Sequence, residues 1–196
     1  MEPITNAQSY FSILAKTAGR LPYHVIDCVA DALLQAYEDG RGIYLFGNGG
    51  SAALASHLAC DLGKGATNGS PKRFRVIAFT DNVPLMTAWA NDARYEDIFA
   101  EQMKNFVRPG DVAFAISGSG NSPNVLSALK VARNASATTI GLTGFRGGKL
   151  RGLCDICMIV PSDNMQVIED LHLSIAHALF TSIRRKLCPD YSALCA

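Results

Sequence analysis

No run of basic or acidic residues stands out in this chain, in which 18 Lys and Arg oppose 17 Asp and Glu for a formal net charge of +1 over 196 residues. Nucleic acid and anionic membranes call for a concentrated positive face, so neither is an expected partner. No apolar stretch reaches the ~20 residues of a membrane span, and Met1-Glu2-Pro3-Ile4-Thr5-Asn6 lacks the basic start and apolar core of a secretion signal. A cytoplasmic protein with small-molecule partners is expected. Linkers, internal repeats and low-complexity segments are also missing, which predicts one domain over residues 1–196. The cysteines, at 28, 60, 154, 157, 188 and 195, are scattered without a disulfide framework, and reduced thiols are the expectation. Cys154 and Cys157 have C-x-x-C spacing inside a β-rich run, Cys154 to Val160, where side chains three apart point to opposite faces. That placement argues against a metal or redox pair.

What is present is a helical start followed by alternating strands and helices. Tyr10, Phe11 and Leu14, then Val25, Ile26, Val29, Leu33 and Leu34, fall at helical spacing over 6–18 and 22–38, with Pro22 placed to start the second helix. Residues 1–40 therefore read as a helical hairpin. Strands are predicted at 42–46, 74–80, 111–116, 138–143 and 155–160, each short and rich in β-branched or aromatic residues. Their alternation with helical segments implies a five-stranded, mostly parallel sheet inside a three-layer α/β/α sandwich over 41–188. A last amphipathic helix is predicted from about Gln166 to Leu187, stopping before Pro189 and leaving a loose tail at 189–196.

Two loops carry the functional signal. Gly47-Asn48-Gly49-Gly50-Ser51 lies between a strand and a helix, and Ser117-Gly118-Ser119-Gly120-Asn121-Ser122 repeats the arrangement about seventy residues later. Glycine lets backbone amides turn toward a ligand, and a helix N-terminus favours an anion. Ser51, Ser117, Ser119 and Ser122 with the nearby amides are thus expected to hold a phosphate. In such a fold the ligand lies beyond the carboxyl ends of the strands, where both loops fall.

Two helices carry acid/base chemistry. His57 and Asp61, four apart, share one helix face beyond the first loop, while Glu169, His172 and His177 stand among apolar residues of the last helix. A polar group so placed must be solvated, paired or liganded. His57 and Asp61 have the i, i+4 spacing of a ligand pair, whereas Glu169 and His177 are eight residues apart, about 12 Å of helix rise. His172 reads as a packing or supporting residue and His24 as structural.

Together these residues, with Asn91-Asp92, Leu142-Thr143-Gly144 and Gly147-Gly148, resemble the phosphoheptose isomerase branch of the sugar isomerase (SIS) domain family over nearly the whole chain. The resemblance implies a SIS, flavodoxin-like fold and a homotetramer. It also implies isomerisation of sedoheptulose 7-phosphate to D-glycero-D-manno-heptose 7-phosphate through an enediol, a step of heptose biosynthesis, without a nucleotide cofactor. It assigns the base to Asp61 and the acid to His177, zinc to His57, Asp61, Glu169 and His177, and substrate contacts to Asn48, Gly49, Gly50, Asn91, Asp92, Ser117, Ser119 and Ser122, with Gly118, Asp61 and Glu169 beside them. Four positions depart from the family pattern: Asp61 replaces a usual glutamate, Glu169 a glutamine, Gly118 a threonine and Gly65 an arginine. A related branch lacks the acid/base set and acts as a tetrameric adaptor for the replication initiator. An adaptor has no need of His57, Asp61 and His177 beside a phosphate cradle.

Overall fold

Asn6 begins the first helix with a reciprocal cap: its side chain accepts from the Ser9 amide at 2.9 Å, and the Ser9 hydroxyl accepts from the Asn6 amide at 3.1 Å. In this computed structural model, which describes residues 4–66 and 72–188, helix α1 spans Ala7–Ala18 and α2 Tyr23–Glu38, entered through Pro22. The tail 189–196, with Pro189 and Cys195, lies outside the described residues.

Five strands follow: β1 (Gly42–Gly47), β2 (Arg75–Ala78), β3 (Val112–Ser117), β4 (Thr138–Thr143) and β5 (Ile156–Ile159), in the order β2-β1-β3-β4-β5. Every pairing is parallel. The sheet is thus wholly rather than mostly parallel, and β1 and β3 are buried at every residue, as strands covered on both faces must be.

Alternation along β1 divides the core. Ile43 and Leu45 pack with Val29, Leu33, Leu58, Ile175 and Leu179 from α2, α3 (Gly50–Cys60) and α7 (Met165–Leu187). Tyr44 and Phe46 face the other way, against Phe79 and residues of α5 (Ala100–Phe106) and α6 (Pro123–Asn134) such as Met103, Val125 and Leu129. Truncating a fully buried leucine such as Leu33 or Leu58 to alanine should cost about 2–5 kcal/mol. Helix α4 (Val83–Asp92) and a short turn at Tyr95–Asp97 complete the β2-to-β3 crossover.

Two strand ends differ from expectation. The run 74–80 is ladder only over Arg75–Ala78, although the Phe79 amide still donates to the Leu45 carbonyl at 2.9 Å. The run 155–160 pairs only from Ile156 to Ile159, because the chain bends at Asp155, whose carboxylate accepts from the Thr139 amide and hydroxyl at 2.8 Å each. Cys154 therefore precedes the strand, and the opposite-face expectation for Cys154 and Cys157 fails. Both sulfurs lie against Gly141 of β4.

From β1 the chain crosses outward to β2 and then returns over β1 to β3. The crevice where strand order reverses opens between the carboxyl ends of β1 and β3, and both glycine/serine loops start there.

Candidate active site

Gly47 and Ile116 are register partners at the ends of β1 and β3, so the two loops leave the sheet side by side. A Cβ on Gly47 would lie 2.6 Å from the Ile116 carbonyl oxygen, which explains the first glycine. Gly49 takes φ +54, a left-handed conformation that favours glycine, and α3 begins at Gly50. Ser51 in its first turn is buried. In the second loop the hydroxyls of Ser117 and Ser122 meet at 3.1 Å, Ser119 Oγ accepts from the Asn121 amide at 3.2 Å, and Ser122 is the N-cap of α6 without using its hydroxyl as a cap. Ser51 and Ser117 thus lie on the two adjoining loops at the start of helices α3 and α6.

A pair of amides ties the loops together. Asn48 Nδ2 donates to Asn124 Oδ1 and Asn124 Nδ2 donates to Asn48 Oδ1, both at 2.8 Å, while the Tyr95 hydroxyl donates to Asn48 Oδ1 at 3.0 Å. Asn124 Oδ1 also accepts from the Val125 amide at 3.0 Å. The Asn48 carboxamide is thereby held in one orientation, with its second N–H left to point elsewhere. Neither Asn124 nor Tyr95 was singled out from the sequence. The adjacent Asn-Ser-Pro-Asn run marks Asn124 only as a first-turn residue, and nothing local marks Tyr95. Asn91 and Asp92 are exposed at the end of α4, where Asn91 Nδ2 donates to Asp92 Oδ1 at 2.8 Å.

The acid/base residues converge from α3 and α7. His57 Nε2 and His177 Nε2 lie 2.9 Å apart, and Asp61 Oδ2 is 3.4 Å from His57 Nε2. Asp61 opens a π-helical turn, Asp61–Gly65, that widens the end of α3. Such turns often mark functional positions. Asp61 Oδ2 is shielded from water and has no hydrogen-bond partner, since its approach to His57 has ion-pair distance but not hydrogen-bond geometry. An orphaned carboxylate oxygen facing two imidazole nitrogens, all within 4.8 Å, is the donor set of an open divalent-cation site. These residues fit a metal.

Glu169 stands elsewhere. The position a Cβ would take on Gly50 is 3.3 Å from Glu169 Oε2, so its carboxylate lies over the first turn of α3, beside the first loop. It is not among the three grouped ligands. His172 is 1% exposed; its ring bonds to the Thr143 backbone while Nε2 has no partner, and burial pushes its pKa down to about 4. His24 is exposed in the first turn of α2.

Two departures from the family pattern have packing counterparts. A Cβ on Gly65 would meet the Phe180 ring at 2.8 Å, so Phe180 fills the space an arginine would enter. A Cβ on Gly118 would meet Met165 Sδ at 2.5 Å, placing Met165 where a threonine side chain would start. An open cavity of about 1040 Å³ adjoins the second loop at Ser119, with Lys16, Arg20 and Arg146 in its wall. It does not reach His57, Asp61 or His177, but it gives the loop a positive approach.

A SIS domain model matches residues 13–144, two glycine/serine loops and the crevice included. The chain belongs to the SIS domain family. Within it, the chain is similar to the phosphoheptose isomerase of Trichlorobacter lovleyi, 36% identical over 187 residues that cover 92% of this chain and 91% of the relative. It is also similar to that of Paramagnetospirillum magneticum, 42% identical over 161 residues, 82% of this chain and 83% of the relative. The solved phosphoheptose isomerase of Francisella tularensis superposes with a TM-score of 0.84 at 33% identity, covering 91% of this chain and 96% of the other. This SIS domain therefore shares its α/β architecture with a phosphoheptose isomerase over 91% of its length.

Proposed function

We propose that the protein is a phosphoheptose isomerase that interconverts sedoheptulose 7-phosphate and D-glycero-D-manno-heptose 7-phosphate. The observation that carries the reading is the convergence of His57, Asp61 and His177 beside two anion-ready loops, in a chain whose relatives bear that activity over most of their length.

Phosphate is held by Ser51, Ser117, Ser119 and Ser122 with the amides of Gly49 and Gly50, at the positive ends of α3 and α6. That contact is uniform between ground and transition states, so it sets KM. The carbonyl end of the sugar extends toward Asp61 and His177. Asp61 takes the proton from the carbon alpha to the carbonyl, and His177 moves protons between O1 and O2 of the enediol, so the same pair runs the reaction both ways. Asn48, held by Asn124 and Tyr95, and Glu169, above Gly50, contact the sugar, with Asn91, Asp92 and Gly118 at its margin. Zinc held by His57, Asp61 and His177 would polarise the carbonyl and stabilise the developing oxyanion. One oxygen of Asp61 suffices as ligand, leaving the other for proton transfer.

The proposal includes a cytoplasmic homotetramer. A groove of about 530 Å³ between α1, α2 and α7, with Phe11 and Tyr23 exposed in its wall, is apolar surface of the kind that subunits cover. Light scattering at micromolar concentration tests the assembly, and a monomer would refute it.

Incubation with sedoheptulose 7-phosphate should yield an aldose phosphate. Asp61→Asn and His177→Ala should each lower kcat roughly 10²–10⁴-fold while leaving phosphate affinity nearly intact. Unchanged turnover in both variants, or no turnover by the wild-type protein, overturns the reading.

A further inference from the structure

Cys154 and Cys157 form a C-x-x-C motif that the isomerase reading does not use. The bend at Asp155 folds Cys154 back over the sheet, so its Sγ comes within 2.7 Å, and Cys157 Sγ within 3.5 Å, of the point a Cβ on Gly141 would occupy. Only a glycine at 141 leaves room for both sulfurs. Both thiols are half-buried and unbridged, side by side over Gly141. The neighbouring Cys154 thiol, with help from the positive charge of Arg151, holds the Cys157 thiol below its ordinary range against the effect of burial, while the Cys157 thiol and burial push Cys154 up. Cys157 is the nucleophile of such a pair and Cys154 the resolving thiol.

The pair is connected to the second loop. Cys154 directly follows a 3₁₀ turn, Leu150–Leu153, and the Leu150 side chain shares the space above Gly141 with the two sulfurs. At the other end of this segment the Leu150 amide donates to the Gly120 carbonyl at 2.9 Å and the Lys149 amide to Asn121 Oδ1 at 3.1 Å. Closing a disulfide draws the sulfurs from non-bonded contact to about 2.05 Å. Cys157 is fixed in β5, so Cys154 and the turn before it must move.

We propose that Cys154 and Cys157 are a dithiol that a peroxide oxidises to a disulfide, and that closure displaces the second glycine/serine loop and weakens its hold on phosphate. In the first step the Cys157 thiolate attacks the peroxide: an S–O bond forms, the O–O bond breaks, and the departing oxygen leaves as water after taking a proton. In the second, Cys154 sulfur attacks the sulfenic sulfur of Cys157; the S–S bond forms, the S–O bond breaks, and a second water leaves. The two sulfurs lose two electrons and the peroxide gains two. The effect on affinity rests on the reading that this loop binds phosphate.

The test treats the reduced full-length protein with hydrogen peroxide, maps thiols by alkylation and peptide mass spectrometry, and measures inorganic phosphate binding by calorimetry. The expected result is a 154–157 disulfide, two hydrogens lighter, with phosphate affinity reduced at least several-fold and restored by dithiothreitol. Cys154→Ser should stop at a Cys157 sulfenic acid, trapped by dimedone, and Cys154→Ala with Cys157→Ala should make phosphate affinity insensitive to peroxide. Two thiols still alkylated after treatment, or a disulfide form with unchanged phosphate affinity, overturns the proposal. A disulfide that weakens phosphate binding in a protein with no turnover on ketose phosphates supports it and refutes the isomerase reading alone.

Discussion

The Nε2 atoms of His57 and His177 meet at 2.9 Å although 120 residues separate them in the chain. At that distance two imidazolium rings would oppose N–H to N–H, so at least one ring presents a lone pair. With the orphaned oxygen of Asp61 alongside, the pair is suited to grip a cation, and opening the contact by a few tenths of an ångström would accommodate tetrahedral Zn–N bonds of about 2.0–2.1 Å.

Zinc titrated into the metal-free protein should therefore bind at one ion per chain and raise the melting temperature, with stabilisation of about 2.7 kcal/mol at a hundredfold excess over Kd. His57→Ala and His177→Ala should each abolish that site in calorimetry. Equal zinc binding by wild type and both variants would remove these residues from the ligand set.

Glu169 places a carboxylate over the first turn of α3, where an incoming anion also belongs. Two negative charges about 4 Å apart repel by about 1–4 kcal/mol at effective dielectrics between 80 and 20. Glu169→Gln should accordingly lower KM for a sugar phosphate several-fold and bind inorganic phosphate more tightly. Steady-state kinetics and calorimetry check this, and a rise in KM with unchanged phosphate affinity would show that the contact of Glu169 with the sugar outweighs its repulsion of the phosphate.

Asn124→Asp replaces the donor that faces Asn48 Oδ1 by an acceptor and should free the Asn48 carboxamide to flip. We expect a roughly tenfold rise in KM, a smaller rise from Tyr95→Phe, which removes one bond, and melting temperatures within a few degrees of wild type. Parallel loss of stability and activity would show that Asn124 only supports the fold.

His172 gives the fold an acid-sensitive point. Burial holds its folded pKa at about 4, below the ordinary imidazole value of about 6.5, so the unfolded chain binds the proton first as pH falls. Stability from this group is present above pH 6.5 and lost progressively down to about pH 4, by about 3 kcal/mol in total. Urea midpoints should fall between pH 7 and pH 5 in the wild type, and His172→Gln should remove much of that decline.

Gly65→Arg should destabilise the protein, because its Cβ would meet the Phe180 ring at 2.8 Å. Phe180→Ala should recover part of the loss in the double variant. Denaturation of the two singles and the double measures the coupling, and strict additivity would show that the two positions do not share the space.

Much of the fold was legible because it is written in short-range patterns. The unbroken apolar run Ile43-Tyr44-Leu45-Phe46 declares a strand with two buried faces, and the glycine and serine runs after it declare tight turns into helices. The i, i+4 spacing of His57 and Asp61 likewise follows from helix geometry alone, and the family resemblance added roles to those positions. Periodicity carries no information about which elements meet. Only the packing of α7 against α3 brought His177 to His57, and only the register of β1 with β3 set Asn48 against Asn124. The same limit explains Cys154 and Cys157: strand periodicity sends their side chains apart, but the hydrogen bonds of Asp155 to Thr139 on the neighbouring strand bend the chain and bring the sulfurs together. Local sequence determined the elements and the chemistry each can offer. Tertiary structure decided which groups share a site, because those contacts depend on long-range packing and register.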